Sequence, residues 1–121
     1  MKIYVAGKWE DRLHIRVLQE ALREMGHTIT IDWTWHEKDD TGFPSQYAVE
    51  DIIGASVCDI YIGVFKTRHF YRGALVEMGA ALASGKRVYI LGHAIDSCIF
   101  VGHPLVKQFD TTKDLLSELQ L

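Results

Sequence analysis

The segment Asp59-Ile60-Tyr61-Ile62-Gly63-Val64-Phe65 constrains this chain more than any other stretch. Only its first residue is charged, and apolar positions follow one another without a helical gap. Such a run reads as a strand covered on both faces, the situation of a central strand in a parallel sheet. Parallel strands need crossover connections, so helices must separate the strands in the chain.

They do. Leu13, Val17, Leu18, Ala21 and Leu22 recur at helical spacing within residues 12–25, and Gly26 suits a helix C-terminus. Further helices are expected over residues 45–57, 73–84 and 112–119. Strands are expected at 3–6, 27–32, 59–65, 87–91 and 106–109. Residues 33–43 read as a polar and aromatic connection, 66–71 as a loop, and 92–104 as irregular or a short helix. Alternating strands and helices in 121 residues predict an α/β chain with a single domain, 1–121. Right-handed crossovers leave few arrangements. The expected one is a flavodoxin-like three-layer sandwich of about five parallel strands in the order 2-1-3-4-5. Ligands of such sheets sit beyond the C-terminal strand ends, where the order reverses. That places the site at residues 7–12 and 66–72.

Composition narrows the partners. The net charge is −3 and no Lys/Arg run occurs, so a nucleic-acid polymer is not expected. Cys58 and Cys98 form no C-x-x-C, which reads as reduced thiols and a cytoplasmic location. Residues 1–7 read as a strand and not an export signal. No apolar run reaches a membrane-spanning length, so no membrane partner is expected. His14, His27, His36, His69, His93 and His103 show no paired metal-ligand spacing, and His36-Glu37 lacks a second histidine in helical register, so no metal is expected. The first loop, Ala6-Gly7-Lys8-Trp9-Glu10-Asp11-Arg12, has one glycine and no G-x-G-x-x-G. A dinucleotide cofactor is therefore not expected, although Asp32 closes the second strand where such folds place a ribose-binding acid. No P-loop motif occurs either.

Glu77 is the only ionisable side chain between Arg72 and Lys86. Its neighbours are apolar or small, so it is either a solvated helix carboxylate or a group kept for chemistry. Trp9, Trp33 and Trp35 fall in or beside loops at the ends of strands 1 and 2. They serve there as rim packing or as surfaces for a flat ligand. Asp51, in the helix before strand 3, is a possible second carboxylate.

These residues resemble those of the nucleoside 2-deoxyribosyltransferase family and the related 2'-deoxynucleoside 5'-monophosphate N-hydrolases. The resemblance covers residues 2 to about 100. It rests on Ile3-Tyr4-Val5-Ala6-Gly7-Lys8-Trp9 with Asp11-Arg12, on Asp51 eight residues before Asp59-Ile60-Tyr61-Ile62-Gly63-Val64, and on Gly73-x-x-x-Glu77-x-Gly79-x-Ala81-Leu82 followed by Gly85-Lys86. It implies that Glu77 attacks C1' of the sugar, that Asp51 binds or protonates the base, and that Tyr4 holds Glu77. Gly7 would allow close backbone approach, Trp9 would line the pocket, and Arg12 would meet a 5'-phosphate. Tyr71, Arg72 and Gly73 would form the substrate loop before Glu77, with Tyr71 where many transferases have Asp. Asp96 or Ser97 falls where relatives carry a residue that serves a neighbouring subunit.

The implied function is cleavage of a 2'-deoxynucleoside through a glycosyl-Glu77 intermediate, the sugar passing to another base. The alternatives are hydrolysis of a 5'-monophosphate and a non-catalytic nucleotide-binding module. The implied partners are a deoxynucleoside or deoxynucleotide, a free nucleobase and further copies of the chain, with no cofactor.

Overall fold

The structure, a computed structural model, describes residues 1–120. The strands are β1 (Lys2–Ala6), β2 (Thr28–Ile29), β3 (Ile60–Val64), β4 (Arg87–Leu91) and β5 (Val106–Phe109). The helices are α1 (Arg12–Glu24), α2 (Ser45–Val57), α3 (Arg72–Ala83) and α4 (Thr112–Glu118). Short 3-10 turns span Trp9–Asp11, Trp33–Trp35 and Ile99–Gly102.

The five strands lie in the order β2-β1-β3-β4-β5 and every pairing is parallel. This is the flavodoxin-like arrangement. All five residues of β3 are buried, as its uninterrupted apolar run requires. Gly63 is part of that packing: a Cβ there would come within 2.3 Å of the Phe65 ring. α2 and α3 pack together over β1, β3 and β4, while α1 and α4 cover the sheet elsewhere.

The second strand is shorter than residues 27–32. Only Thr28 and Ile29 pair with Lys2 and Ile3 of β1. His27 is instead held at the sheet edge, with Nε2 at 2.8 Å from Leu119 O and Nδ1 at 3.1 Å from the N-terminal amine. Beyond Ile29 the chain leaves the ladder, and Asp32 accepts a bond from Thr34 N at 3.1 Å to cap the Trp33–Trp35 turn. Polar side chains that satisfy local backbone groups end a strand in this way. The region 92–104 is turns and one 3-10 segment.

α3 begins at Arg72, with Tyr71 as its N-cap residue at φ 52. A large side chain rarely takes that left-handed conformation. Here it is held by a hydroxyl bond from Tyr71 to Thr67 O at 2.6 Å and by a Tyr71 N–H bond to His69 Nδ1 at 3.1 Å. Strain supported by its surroundings commonly marks a working loop. Among the described residues, no helix is long and apolar enough to cross a membrane.

Candidate active site

The pleat of β1 and β3 sends two phenols towards α3. Tyr4 and Tyr61 are register partners, and their rings stack with centroids 6.1 Å apart. Tyr61 donates to Ala74 O at 2.6 Å, and Tyr4 donates to Oε2 of Glu77 at 2.6 Å. Positions 74 and 77 are one helical turn apart and share a face, so the two bonds fix the rotation of α3 over the sheet. Gly54 lets α2 approach from the other side: a Cβ there would meet Ile31 at 2.7 Å and the Tyr4 ring at 3.0 Å.

Glu77 and Asp51 face one cleft of about 800 Å³, a size that suits a small-molecule ligand. It is lined by the aromatic Trp9, Phe43 and Tyr47 and by the basic Lys8, His69 and Arg72. Trp9 meets Phe43 edge-on at 5.3 Å. Flat apolar walls with a few carboxylates at the floor are what a nucleobase-sized ring would need.

Burial dominates the chemistry of both acids. It pushes Glu77 up to about 7, against the opposing bond from Tyr4 and with a smaller contribution from Asp51. Burial, then the neighbouring Glu50, pushes Asp51 up to about 6. Oδ1 of Asp51 is buried without a hydrogen-bond partner, and an unpaired buried acceptor is costly unless a ligand satisfies it. Burial and Glu77 hold the Tyr4 phenol well above its ordinary range, so it stays a donor.

Most of the residues singled out from the sequence converge here: Gly7, Trp9, Asp51, Tyr71, Arg72, Gly73 and Glu77 all line the cleft, and Tyr4 reaches it through Glu77. Gly7 has a packing reason as well, since a Cβ would come within 2.5 Å of Ile15 Cδ1. Tyr71 is 2% exposed and its hydroxyl is committed to Thr67 O; it shapes the loop and offers no hydroxyl to a ligand.

The other candidates are placed differently. Arg12 is not on the cleft wall: its guanidinium lies 4.4 Å from the Trp9 ring centre and donates to Trp9 O at 3.2 Å. Asp96 and Ser97 are away from this chain's own cleft. Asp96 accepts from Gln108 Nε2 at 2.7 Å and contacts His93 at 2.9 Å, which folds that loop onto β5. Trp33 is 8% exposed and its indole donates to Val5 O at 2.6 Å, so it is a core residue at the cleft floor, while Trp35 packs outside under Arg16.

The structure also brings in Lys8, His36, Phe43 and Tyr47. Lys8 follows β1 and Tyr47 lies in α2; His36 and Phe43 arrive because the 33–43 connection folds back against Tyr47, and no spacing in the sequence encodes that. Among the described residues, no group of three or more His, Cys, Asp or Glu side chains is placed to hold a metal ion.

No protein-family model matches the chain, and no curated protein matches it. Solved structures do. The CMP N-glycosidase of Clostridium botulinum is 21% identical with a TM-score of 0.65, over 98% of this chain and 98% of its own. A 2-deoxyribosyltransferase from Bacillus psychrosaccharolyticus is 21% identical with a TM-score of 0.73, over 100% of this chain and 97% of its own. A conserved protein from Enterococcus faecalis V583 is 17% identical with a TM-score of 0.72, over 98% and 96%. At these identities the likeness is one of fold, and function must be argued from the site.

Proposed function

We propose that the protein is an enzyme that cleaves the N-glycosidic bond of a 2'-deoxynucleoside and passes the sugar to another base. The observation that carries this reading is the pair of raised carboxyl groups, Glu77 on Tyr4 and Asp51 with a free buried oxygen, at the floor of an aromatic cleft. The shared fold of a CMP N-glycosidase and a 2-deoxyribosyltransferase supports it.

In this scheme an ionised Glu77 oxygen attacks C1' and forms an ester. The C1'–N bond breaks, its electron pair stays on the base, and the base nitrogen takes a proton from Asp51. Dividing the displacement into two steps avoids a free oxocarbenium ion, and protonation makes the base a better leaving group. An incoming base then attacks C1' through nitrogen, returns a proton to Asp51 and frees Glu77. Each proton and electron pair is accounted for by the chain and its substrates alone.

A second reading, hydrolysis of a nucleoside 5'-monophosphate, is favoured by two basic residues of the cleft. Lys8 and Arg72 line it, and among the described residues neither has an ion-pair partner. A phosphate beside them would gain charge-assisted bonds. Water would then replace the incoming base.

Self-association belongs to the same proposal. Val49, Ile53 and Val57 on α2 and Val76 on α3 are exposed, next to an apolar hollow of about 600 Å³ that includes Phe100. Val76 belongs to both sets, and exposed apolar surface of this kind supports an interface. A monomeric mass by light scattering at micromolar concentration would count against it.

The reading is tested by incubating deoxynucleosides and their monophosphates with and without a second free base, and separating the products by chromatography. Exchanged nucleoside supports transfer, and free sugar or sugar phosphate supports hydrolysis. Saturable binding without base release would leave only a binding module.

A further inference from the structure

Asp51 has one neighbour in the cleft that the scheme above leaves unused. Its Oδ2 lies 3.8 Å from Nδ1 of His36. The His36 ring lies flat on Tyr47, with centroids 3.7 Å and planes 7° apart. Tyr47 precedes Asp51 by one turn of α2, so stack and carboxyl group share a helix face. The backbone of His36 is fixed as well. Its N–H donates to Trp33 O at 3.0 Å, and Trp33 is anchored to Val5 O of β1. The imidazole edge is therefore aimed by two elements, the Trp33–Trp35 turn and α2, at one oxygen of Asp51. At 3.8 Å that contact is longer than a hydrogen bond, while the other oxygen, Oδ1, is buried with no hydrogen-bond partner.

The electrical state of the ring matters. Besides Asp51 itself, Glu50 on α2 and Asp32 before the turn favour protonation of His36, and burial outweighs them and lowers its proton affinity. A neutral ring with its proton on Nδ1 offers an N–H to Asp51 without the full positive charge that would pull its carboxyl group towards ionisation.

We propose that His36 is a positioning residue that holds the Asp51 carboxyl group by Oδ2, so that Oδ1 presents its proton to the nitrogen of the departing base. This rests on the reading of Asp51 as the acid. As the C1'–N bond breaks, the proton moves from Oδ1 to the base and negative charge spreads onto Oδ2. The Nδ1–H of His36 then shortens its contact and stabilises that charge. His36 touches no reacting atom and acts through Asp51.

The test uses the best substrate from the exchange assay and a series of its analogues whose bases carry increasingly electron-withdrawing substituents. Better leaving groups need less protonation, so a defect in the acid shows as a steeper dependence on the leaving group. His36→Phe keeps the flat stack on Tyr47 and removes Nδ1. It should lose roughly 10–100-fold in kcat/KM on the poorest leaving group, and progressively less along the series. His36→Gln, which restores a donor, should recover part of the loss. Equal losses across the series, or no loss, would overturn the assignment of His36 while leaving Glu77 untouched. A parent enzyme that releases no base overturns the underlying reading, and the role of His36 with it. Folding of each variant is checked by its unfolding transition, so that a collapsed cleft is not mistaken for a lost proton donor.

Discussion

The Tyr4 hydroxyl and the Glu77 carboxylate are joined at 2.6 Å across 73 residues of chain. The bond ties the first strand to the helix after the third, over the point where the strand order reverses. It also decides which way one oxygen of Glu77 points. Oε2 is engaged by Tyr4, and Oε1 is not part of that bond. A hydrogen bond that fixes a nucleophile in the ground state contributes through orientation.

The two carboxyl groups set the pH response. The scheme needs Glu77 ionised and Asp51 protonated. In the empty site Glu77 holds its proton up to about 7 and Asp51 up to about 6. The productive form is thus a minority species, and its population falls on both sides. Below about 6 Glu77 is neutral, and above about 7 Asp51 has lost its proton. The profile of kcat/KM should be a narrow bell with limbs near 6 and 7 that belong to the pair. A rate that does not vary from about 5 to about 9 would contradict this assignment.

Tyr4→Phe removes the bond that opposes burial at Glu77. The carboxyl group then ionises at higher pH, so the alkaline limb should move upward. Hydrogen bonds to charged groups contribute about 1.5–3 kcal/mol, so kcat/KM should fall roughly 10–100-fold. An unchanged profile measured across the same pH range would show that the bond does not govern Glu77.

Stability should oppose function at Glu77. Its folded-state value of about 7 lies above the ordinary 4.5. The folded state therefore binds the proton more tightly than the unfolded chain does. That contribution is fully present below the unfolded value and is lost as pH rises through the folded one. At pH values above 7 the ionised group costs up to about 3 kcal/mol, at about 1.4 kcal/mol per unit. Glu77→Gln should thus be more stable than the parent in urea at alkaline pH, with the gain disappearing towards the unfolded value. A variant less stable than the parent at alkaline pH would contradict the burial argument.

The fold was legible because its strongest feature is chemical. An unbroken apolar run in residues 59–65 has one comfortable home, and the helical spacing of Leu18 and Leu22 supplies the crossovers. β2 was over-read because Thr and Ile continue the strand pattern past Ile29, while the competing local bonds of His27 and Asp32 are visible only in three dimensions. Glu77 stood out as a lone charge among apolar neighbours. His36 did not, because its importance lies in a 3.8 Å contact with Asp51 and a stack on Tyr47, made when a connection folds back over α2. The place of Arg12 was hidden for a similar reason: its guanidinium lies over the Trp9 ring, a contact made only once the Trp9–Asp11 turn forms.

The central claim is that Glu77 is the group that attacks the sugar. The most direct measurement is release of free base by Glu77→Ala, followed by chromatography on the substrate that the parent cleaves best. Removal of a covalent nucleophile should lower kcat by at least about 1000-fold, with the variant still folded and still binding substrate. A Glu77→Ala protein that releases base at the parent rate would contradict the account.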